Sequence, residues 1–191
     1  MTEKTKHLIE EQLDVVDEKG NPTGKVVSRR KAHECGIRHR TSHVWLIRKK
    51  DGKLQVLLQK RSTEKDSFPG RFDTSSAGHV QAGDEPLESA LRELFEELGI
   101  KAQARDLEFA GTFPIWYKKE FYGKLFWDNE IAFVYAYRRP VEIESLKLQK
   151  EEVEEVQWFD LENTLSECKK KNQKFCVPID GLELIKRYLT A

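Results

Sequence analysis

The stretch from Gly78 to Ile100 constrains this chain most, because it combines a glycine turn, an amphipathic helix and a dense group of carboxylates. Its apolar residues recur at steps of three and four, which places them on one side of a helix: Leu87, Ala90, Leu91, Leu94, Phe95 and Leu98. Asp84 or Glu85 suits the N-cap of that helix. Pro86 is tolerated in its first turn, and Gly99 suits the position just after its last turn. The pattern therefore predicts a helix with both ends marked.

Three glutamates on the opposite side of this helix indicate a cation site. At about 100° per residue, Glu93, Glu96 and Glu97 fall within an arc of about 100°. Their mutual repulsion costs about several tenths of a kcal/mol per pair, and the helix macrodipole disfavours anions near the C-terminus. A hard cation such as Mg²⁺ or Mn²⁺ would compensate, since it takes oxygen ligands and keeps positions for water and phosphates. For these glutamates alone, a solvated acidic face is the alternative.

The order of residues over the whole stretch is more specific than the glutamates alone. After Gly78 come five residues, an acid at position 84, seven more residues, and then Arg-Glu-Leu-x-Glu-Glu-x-Gly-Ile at 92–100. This order resembles the signature of the Nudix hydrolases, and eight of its nine fixed positions match strictly. The exception is Asp84, where the family has Glu. We refer to residues 78–100 as the Nudix box.

The resemblance implies roles for individual box residues. The three helix glutamates and the Gly78 carbonyl would hold Mg²⁺ or Mn²⁺. Arg92 would orient the carboxylates, and its structural partner in the family falls on Asp84, whose side chain is one methylene shorter. Glu93 is one candidate for the general base that activates water. Acids further along the chain are the other candidates: Glu120, Glu130 and Glu151.

Strand and helix signals surround the box. Two apolar runs around a Gly/Asn/Pro cluster at residues 8–30 predict a β-hairpin, and residues 42–58 predict another around a Lys-Lys-Asp-Gly turn. Further strands are predicted at 107–113, 129–137 and 153–159, and further helices from about 160 to 170 and from 178 to 189. Residues 114–123 are interpreted as a loop whose aromatic side chains stack on a base or a prenyl group, or cover the core.

Together with the resemblance, these elements predict an α/β fold. It is the Nudix-type α/β/α sandwich, with a mixed sheet and an N-terminal β-hairpin extension. We expect one domain over 1–191, with the extension at 1–35, the Nudix core at 36–165 and a C-terminal helical segment at 166–191.

Beyond the box, the chain resembles the type I isopentenyl diphosphate isomerases and their hydrolase-like relatives. The matching segments are Gln-Lys-Arg-Ser at 59–62, Phe-Pro-Gly at 68–70, Gly-His at 78–79 and Asp-Asn-Glu at 128–130. This resemblance implies that His39 and His79 fall on metal-binding histidines, with His33 near another if one residue is gapped. It also implies that Asp128 replaces a metal-binding Glu and that Glu130 falls on the catalytic acid.

Ala77 distinguishes diphosphate hydrolysis from isopentenyl diphosphate isomerisation. It lies immediately before the Gly-His pair, where those isomerases have their catalytic cysteine. A methyl group can neither donate nor accept the proton that allylic isomerisation requires, and the hydroxyls of Ser75 and Ser76 are too basic to replace a thiol. The box carboxylates that hydrolysis needs are complete. The sequence therefore favours hydrolysis over isomerisation.

Candidate substrate contacts are basic or histidine-containing. Lys60 and Arg61, with Lys65, could meet phosphates or could simply face solvent. His79 is either a ligand or phosphate contact, or a structural histidine. Specificity is expected in the variable loops and the N-terminal segment.

Charge and composition limit the partners. Lysine plus arginine equals aspartate plus glutamate at 33 each, so no overall field favours a nucleic acid polymer or an anionic membrane. No run approaches about 18 apolar residues and the N-terminus lacks an apolar signal core, so a cytoplasmic location is expected. The three cysteines have no metal-type spacing and are expected to be reduced thiols.

The predicted function is Mg²⁺-dependent hydrolysis of a diphosphate linkage in a nucleoside diphosphate or a derivative of one. The partner is then a small-molecule diphosphate. Two alternatives stay open: isopentenyl diphosphate isomerase activity through another acid, and a non-catalytic module that senses a diphosphate ligand. A homodimer paired through the N-terminal hairpin is a further expectation.

Overall fold

The computed structural model of the protein describes residues 10–190. None of the helices in this range is long and apolar enough to cross a membrane. The strands and α-helices in chain order are β1 (Gln12–Val16), β2 (Pro22–Ser28), α1 (Arg29–Cys35), β3 (His39–Lys50), β4 (Lys53–Arg61), β5 (Phe72–Asp73), β6 (Ser76–His79), α2 (Pro86–Leu98), β7 (Leu107–Phe121), β8 (Lys124–Tyr137), β9 (Val153–Asp160), α3 (Leu161–Lys169) and α4 (Ile179–Thr190).

The main sheet is mixed and has β3 near its centre. Strand β3 pairs in parallel with β8, from His39 opposite Glu130 to Leu46 opposite Tyr137. It pairs antiparallel with β4 and β6, while β9 pairs with β4 and β7 forms an edge next to β8. The predicted mixed sheet is therefore confirmed. Because β3 and β8 run in parallel, their register places Glu130, in the middle of β8, beside His39 at the start of β3.

Helices cover both faces of this sheet. On β3, Val44 and Leu46 pack with the leucines of α2, whereas Trp45 and Ile47 pack with α3 and α4 on the other side. This alternation follows from the two-residue period of a strand. The α/β/α sandwich is thus confirmed. Phe95 differs from the prediction, since it is 48% exposed on α2 and lies outside the apolar stripe.

The N-terminal hairpin is a separate two-stranded sheet that docks on the turn before α2. Strands β1 and β2 pair antiparallel, and Leu13 bridges to Gln81. The Asp14 carboxylate accepts hydrogen bonds from Arg40 (3.1 Å) and from the Gly83 amide (2.9 Å). The predicted hairpin is confirmed over 12–28, while residues 8 and 9 of that prediction lie outside the described range. The hairpin therefore fixes the entry to the box helix.

The prediction of a loop at 114–123 is wrong. Strand β7 continues to Phe121 and pairs with β8 along its whole length, and Tyr122 and Gly123 form the connecting turn with φ of 50° and 74°. Pro114 obscured this strand in the sequence. Proline is tolerated there because β7 is an edge strand, where one side of the backbone needs no partner. Alternate residues therefore face opposite sides, so the aromatic residues do not form one flexible loop.

We predict that Gly36→Ala destabilises the protein more than an ordinary glycine substitution does. Gly36 ends α1 at φ 63°, and a Cβ there would lie 2.3 Å from the Trp127 ring. The strained backbone and the clash should together lower the free energy of unfolding by about 2 to 4 kcal/mol. Gly24→Ala is the matched control, since its φ of 81° is similar but its Cβ would meet no atom within 4 Å. Urea denaturation measures both, and equal losses would contradict the clash with Trp127.

Candidate active site

A cavity of about 290 Å³ lies where α2, β6 and the β7–β8 hairpin meet. Its acidic wall is formed by the box, with Gly78 and three glutamates: Glu93, Glu96 and Glu97. The box glycine is needed because a Cβ at Gly78 would lie 2.2 Å from the Glu93 carboxyl carbon. The helix can therefore approach the strand closely enough to place its carboxylates against the backbone of β6.

Two of the three glutamates are largely removed from water. The Glu93 side chain is 14% exposed, and Glu97 is buried and accepts hydrogen bonds from the Ala77 amide (3.2 Å) and Gln59 (3.4 Å). Burial raises the pKa of Glu93 to about 7, against the lowering effect of Arg92. Burial and then the nearby Glu93 charge raise the pKa of Glu97 to about 8. Such desolvated, mutually repelling oxygen donors fit a divalent cation.

Arg92 links the box helix to β6. Its guanidinium donates to Glu93 (2.6 Å) and Glu96 (3.4 Å) and to the His79 carbonyl (3.2 Å). The expected pairing with Asp84 is not found. Asp84 precedes the helix, and its backbone carbonyl accepts a hydrogen bond from Arg40 at 3.0 Å. The Arg92 guanidinium lies further along the helix, where it is already bonded to Glu93 and Glu96. The shorter acid at position 84 therefore leaves the contacts of Arg92 intact.

A second group of candidate metal ligands lies beside the acidic wall. This histidine cluster consists of His33, His39 and His79 with Asp128 and Glu130. The ligand atoms of the three histidines lie within 4.8 Å of one another, and so do those of His39, Asp128 and Glu130. His33 Nδ1, His39 Nε2 and Asp128 Oδ1 are buried without a hydrogen-bond partner. Unsatisfied buried donors and acceptors of these types fit a cation.

The electrostatics of the histidine cluster favour metal ligation. Burial, reinforced by the neighbouring His79, lowers the pKa of His33 to about 3, so its ring is neutral at pH 7. Burial and the adjacent Glu130 raise the pKa of Asp128 to about 9. Burial would also raise the pKa of Glu130, but the His39 ring, whose Nε2 lies 3.5 Å from Glu130 Oε1, outweighs it and holds that pKa well below its usual range. Glu130 is therefore the ionised member of the carboxyl pair.

The basic side of the cavity is formed by Arg61 and Lys65, with Arg29 near the entrance. Arg61 is fixed by hydrogen bonds to the Ser67 carbonyl (2.9 Å) and to Asp73 (3.1 Å). The structure does not bring Lys60 into this cavity. As a neighbour of Arg61 on β4 it faces the other side of the strand, where it pairs with Glu154 at 2.9 Å. The structure therefore places Lys60 outside the cavity lining, and a substrate contact by Lys60 stays an untested prediction.

Two of the four candidate general bases lie at the cavity. Glu93 and Glu130 line the cavity, whereas Glu120 and Glu151 are exposed and do not line it. On β7, Glu120 has the opposite orientation to Tyr117, which does face the cavity. The fold therefore keeps Glu93 and Glu130, the two acids that lie in recognised segments of the sequence, and places Glu120 and Glu151 outside the cavity.

The N-terminal hairpin contributes residues that sequence reasoning missed. Glu11, just ahead of β1, reaches His79 with 3.4 Å between its Oε2 and the ring Nδ1. Arg29, at the start of α1, lies 3.9 Å from the same carboxylate oxygen. Neither residue carries a motif that could have revealed it. The extension is thus part of the cavity wall.

Comparison with known proteins identifies the family of this chain. A family model described as the NUDIX domain matches residues 37–176. The chain belongs to the Nudix family. It is 41% identical over 144 residues to a Nudix hydrolase of Clostridium acetobutylicum, covering 75% of this chain and 67% of that protein. It is 39% identical over 175 residues to Nudix hydrolase 3 of Arabidopsis thaliana, covering 91% of this chain but only 22% of that protein.

A solved structure shows the same Nudix fold. The DR0079 protein of Deinococcus radiodurans superposes with a TM-score of 0.64 at 22% identity, covering 93% of this chain and 98% of that one. The Nudix relatives place this chain among the hydrolases that act on diphosphate bonds. The predicted Nudix family and hydrolase class are therefore confirmed.

Without metal, we predict that Glu97 makes the Nudix fold less stable as pH rises. The carboxyl titrates near pH 4.5 in the unfolded chain and near 8 in the folded one, so the unfolded chain loses its proton first. The contribution of this group therefore falls between about pH 4.5 and 8 and is constant above that window. In EDTA, Glu97→Gln should melt higher than wild type, by a margin that grows from pH 5 to pH 8.5. The exposed Glu88→Gln is the control, and a margin independent of pH would contradict the prediction.

Proposed function

We propose that this protein is a Mg²⁺-dependent hydrolase of a diphosphate linkage in a nucleoside diphosphate or a derivative of one. The proposal rests on one observation: acidic and basic side chains line opposite parts of the same cavity. The desolvated box glutamates form one wall, and Arg61 and Lys65 line the same space. A diphosphate fits between them, since guanidinium and ammonium groups bind its oxygens while a cation on the carboxylates binds others.

The residues present fit Mg²⁺ or Mn²⁺. Together with the Gly78 carbonyl, the three box glutamates would hold the ion: Glu93, Glu96 and Glu97. The pKa values of Glu93 and Glu97 are raised because these buried carboxylates lack a sufficient counter-charge. When bound, the ion supplies positive charge that stabilises the negative charge developing on the diphosphate oxygens. The ion would also favour the ionised form of these two carboxyl groups.

The chain's own groups then orient the substrate and move a proton. Arg61, rigidly held by Ser67 and Asp73, can bind a phosphate oxygen without first being ordered. Arg92 fixes the positions of Glu93 and Glu96. Glu93 or Glu130 would accept the proton of the attacking water. Both acids line the cavity, so kinetics of the Glu93→Gln and Glu130→Gln variants would identify the base.

The histidine cluster keeps the isomerase as the second candidate function, because it matches the metal-binding residues of those enzymes. The proton donor that isomerisation requires is lacking at Ala77, which lines the cavity with a methyl group. The nearby Ser75 hydroxyl already accepts from the Leu46 amide at 2.9 Å. Cys176 also lines the cavity, but burial and Asp73 raise the pKa of its thiol well above the usual value. The side chains around the cavity therefore support hydrolysis better.

We further propose that the hairpin extension, the core and the C-terminal helices act as one domain. The hairpin supplies Glu11 to the cavity, and α4 packs Leu182 and Ile185 against the core beneath the sheet. Dimerisation through the hairpin stays a prediction, which light scattering of the purified protein would test.

The first test of the proposed hydrolase is the loss of metal-dependent turnover in Glu96→Gln and Glu97→Gln. Each substitution removes an anionic oxygen donor, and we expect kcat/KM to fall by about 10²-fold or more. The assay is a panel of diphosphates with Mg²⁺ or Mn²⁺, including ADP, ADP-ribose and isopentenyl diphosphate, scored by product identity. Glu88→Gln, exposed on the same helix, should keep wild-type rates. Full activity in both site variants would refute the metal assignment.

Arg92→Ala should lower turnover while leaving the protein folded. The guanidinium positions Glu93 and Glu96, and the loss of such a supporting group typically costs about 10- to 100-fold. Steady-state kinetics and circular dichroism measure the two effects separately. Arg105→Ala, on the short helical turn before β7, serves as the control for removing a surface arginine. Wild-type kcat/KM in Arg92→Ala would show that the glutamates hold their positions without it.

A further inference from the structure

Strand β3 brings two polar side chains to the cavity that have no role in the hydrolysis described so far. Thr41 and His43 both line the cavity, and they are only 4% and 5% exposed. Because side chains alternate along a strand, they point to the same face of β3 as His39. Burying a hydroxyl and an imidazole costs free energy unless they are hydrogen-bonded. Their hydrogen-bond partners therefore indicate their role.

Both side chains are connected to Glu130 on the neighbouring strand β8. The Thr41 hydroxyl donates to Glu130 Oε2 at 3.0 Å, and the Thr41 oxygen lies 3.4 Å from His43 Nε2. The other carboxylate oxygen, Oε1, lies 3.5 Å from His39 Nε2 and 3.9 Å from His79 Nε2. One oxygen of Glu130 is thus held from β3, while the other faces the two histidine rings.

The single proton of the Thr41 hydroxyl sets the direction of this chain of contacts. Glu130 is ionised and can only accept, so the hydroxyl proton is used on Glu130. Burial lowers the pKa of His43, so its neutral ring has one N–H, and a donor at Nε2 matches the Thr41 oxygen. The reverse tautomer would leave a buried N–H at Nδ1, which has no hydrogen-bond partner within residues 10–190. Both donors therefore point toward the carboxylate.

A fixed carboxylate serves the proposed hydrolysis better than a mobile one. A glutamate side chain has several rotatable bonds, and a general base must present its oxygen within hydrogen-bond reach of the water proton. Ordering that oxygen in the folded protein removes an entropic cost from the reaction. Arg92 orders Glu93 in this way, at 2.6 Å. For Glu130, the hydroxyl and the imidazole on β3 take the place of a guanidinium.

We propose that Thr41 and His43 are positioning residues that hold Glu130 for hydrolysis. His43 orients the Thr41 hydroxyl, and the hydroxyl fixes the Glu130 carboxylate with one oxygen toward the histidine rings. This role rests on the proposed function, in which Glu130 is one of two candidate bases. The residues involved lie outside the Nudix box, in the alternating pattern His-x-Thr-x-His at 39–43.

The first test removes the hydroxyl with Thr41→Val. The assay is the most rapidly hydrolysed of ADP, ADP-ribose and isopentenyl diphosphate. We expect kcat to fall about tenfold or more with KM within about twofold, because a hydrogen bond to a charged group is lost but no substrate contact is. His43→Leu should lower kcat in the same way. Thr41→Ser and His43→Gln keep the donors and should restore most of the rate, while Thr112→Val, exposed on β7, is the matched control.

A double-mutant cycle determines whether Thr41 acts through Glu130. In the Glu130→Gln background, Thr41→Val should lower kcat by less than about threefold, since the carboxylate to be positioned is gone. An undiminished loss in that background would overturn the positioning role. So would a higher KM with unchanged kcat, which marks a substrate contact. Wild-type kcat in Glu130→Gln would also overturn it, and would leave Glu93 as the base of a working hydrolase.

Nitrogen NMR of isotopically labelled histidine tests the same chain without turnover. The His43 signals are assigned by their loss in His43→Gln. We expect a protonated Nε2 and an unprotonated Nδ1, with the Nε2 signal shifted in Thr41→Val. The reverse tautomer, or a signal that Thr41→Val leaves unchanged, would overturn the inference. If wild type hydrolyses no diphosphate but the tautomer and the shift are found, the proposed function fails while the positioning of Glu130 stands.

Discussion

The structure depends on the close approach of the box helix to strand β6. Gly78 permits it, since any side chain there would overlap the Glu93 carboxyl group. This contact removes Glu93 and Glu97 from water beside one another, which costs stability as long as no cation is present. The divalent ion that we propose for these carboxylates would offset that cost.

Other parts of the chain maintain that approach. Arg92 connects the helix carboxylates to the His79 carbonyl, and Asp14 of the hairpin secures the turn that leads into the helix. The hairpin extension also sends Glu11 to His79. An element outside the matched NUDIX domain, residues 37–176, therefore helps to position the residues of the box.

Two groups of candidate metal ligands lie beside one cavity, namely the box glutamates and the histidine cluster. The box glutamates suit hydrolysis, while the resemblance of the flanking sequence to the isomerases implies metal-binding positions at His39 and His79. Ala77 lies between them and provides no proton donor.

The sequence by itself determined the box helix, its carboxylates, most strands and the fold class, because periodicity and capping are local properties and the box is a contiguous motif. It could not reveal that Lys60 faces away, that residues 114–121 continue a strand, or that Arg92 has partners other than Asp84. Those facts depend on strand orientation and edge position, which are set by pairing between distant segments. Only the tertiary structure brought Glu11 and Arg29 to the cavity, because these residues lie more than forty positions before the box and meet it through packing alone.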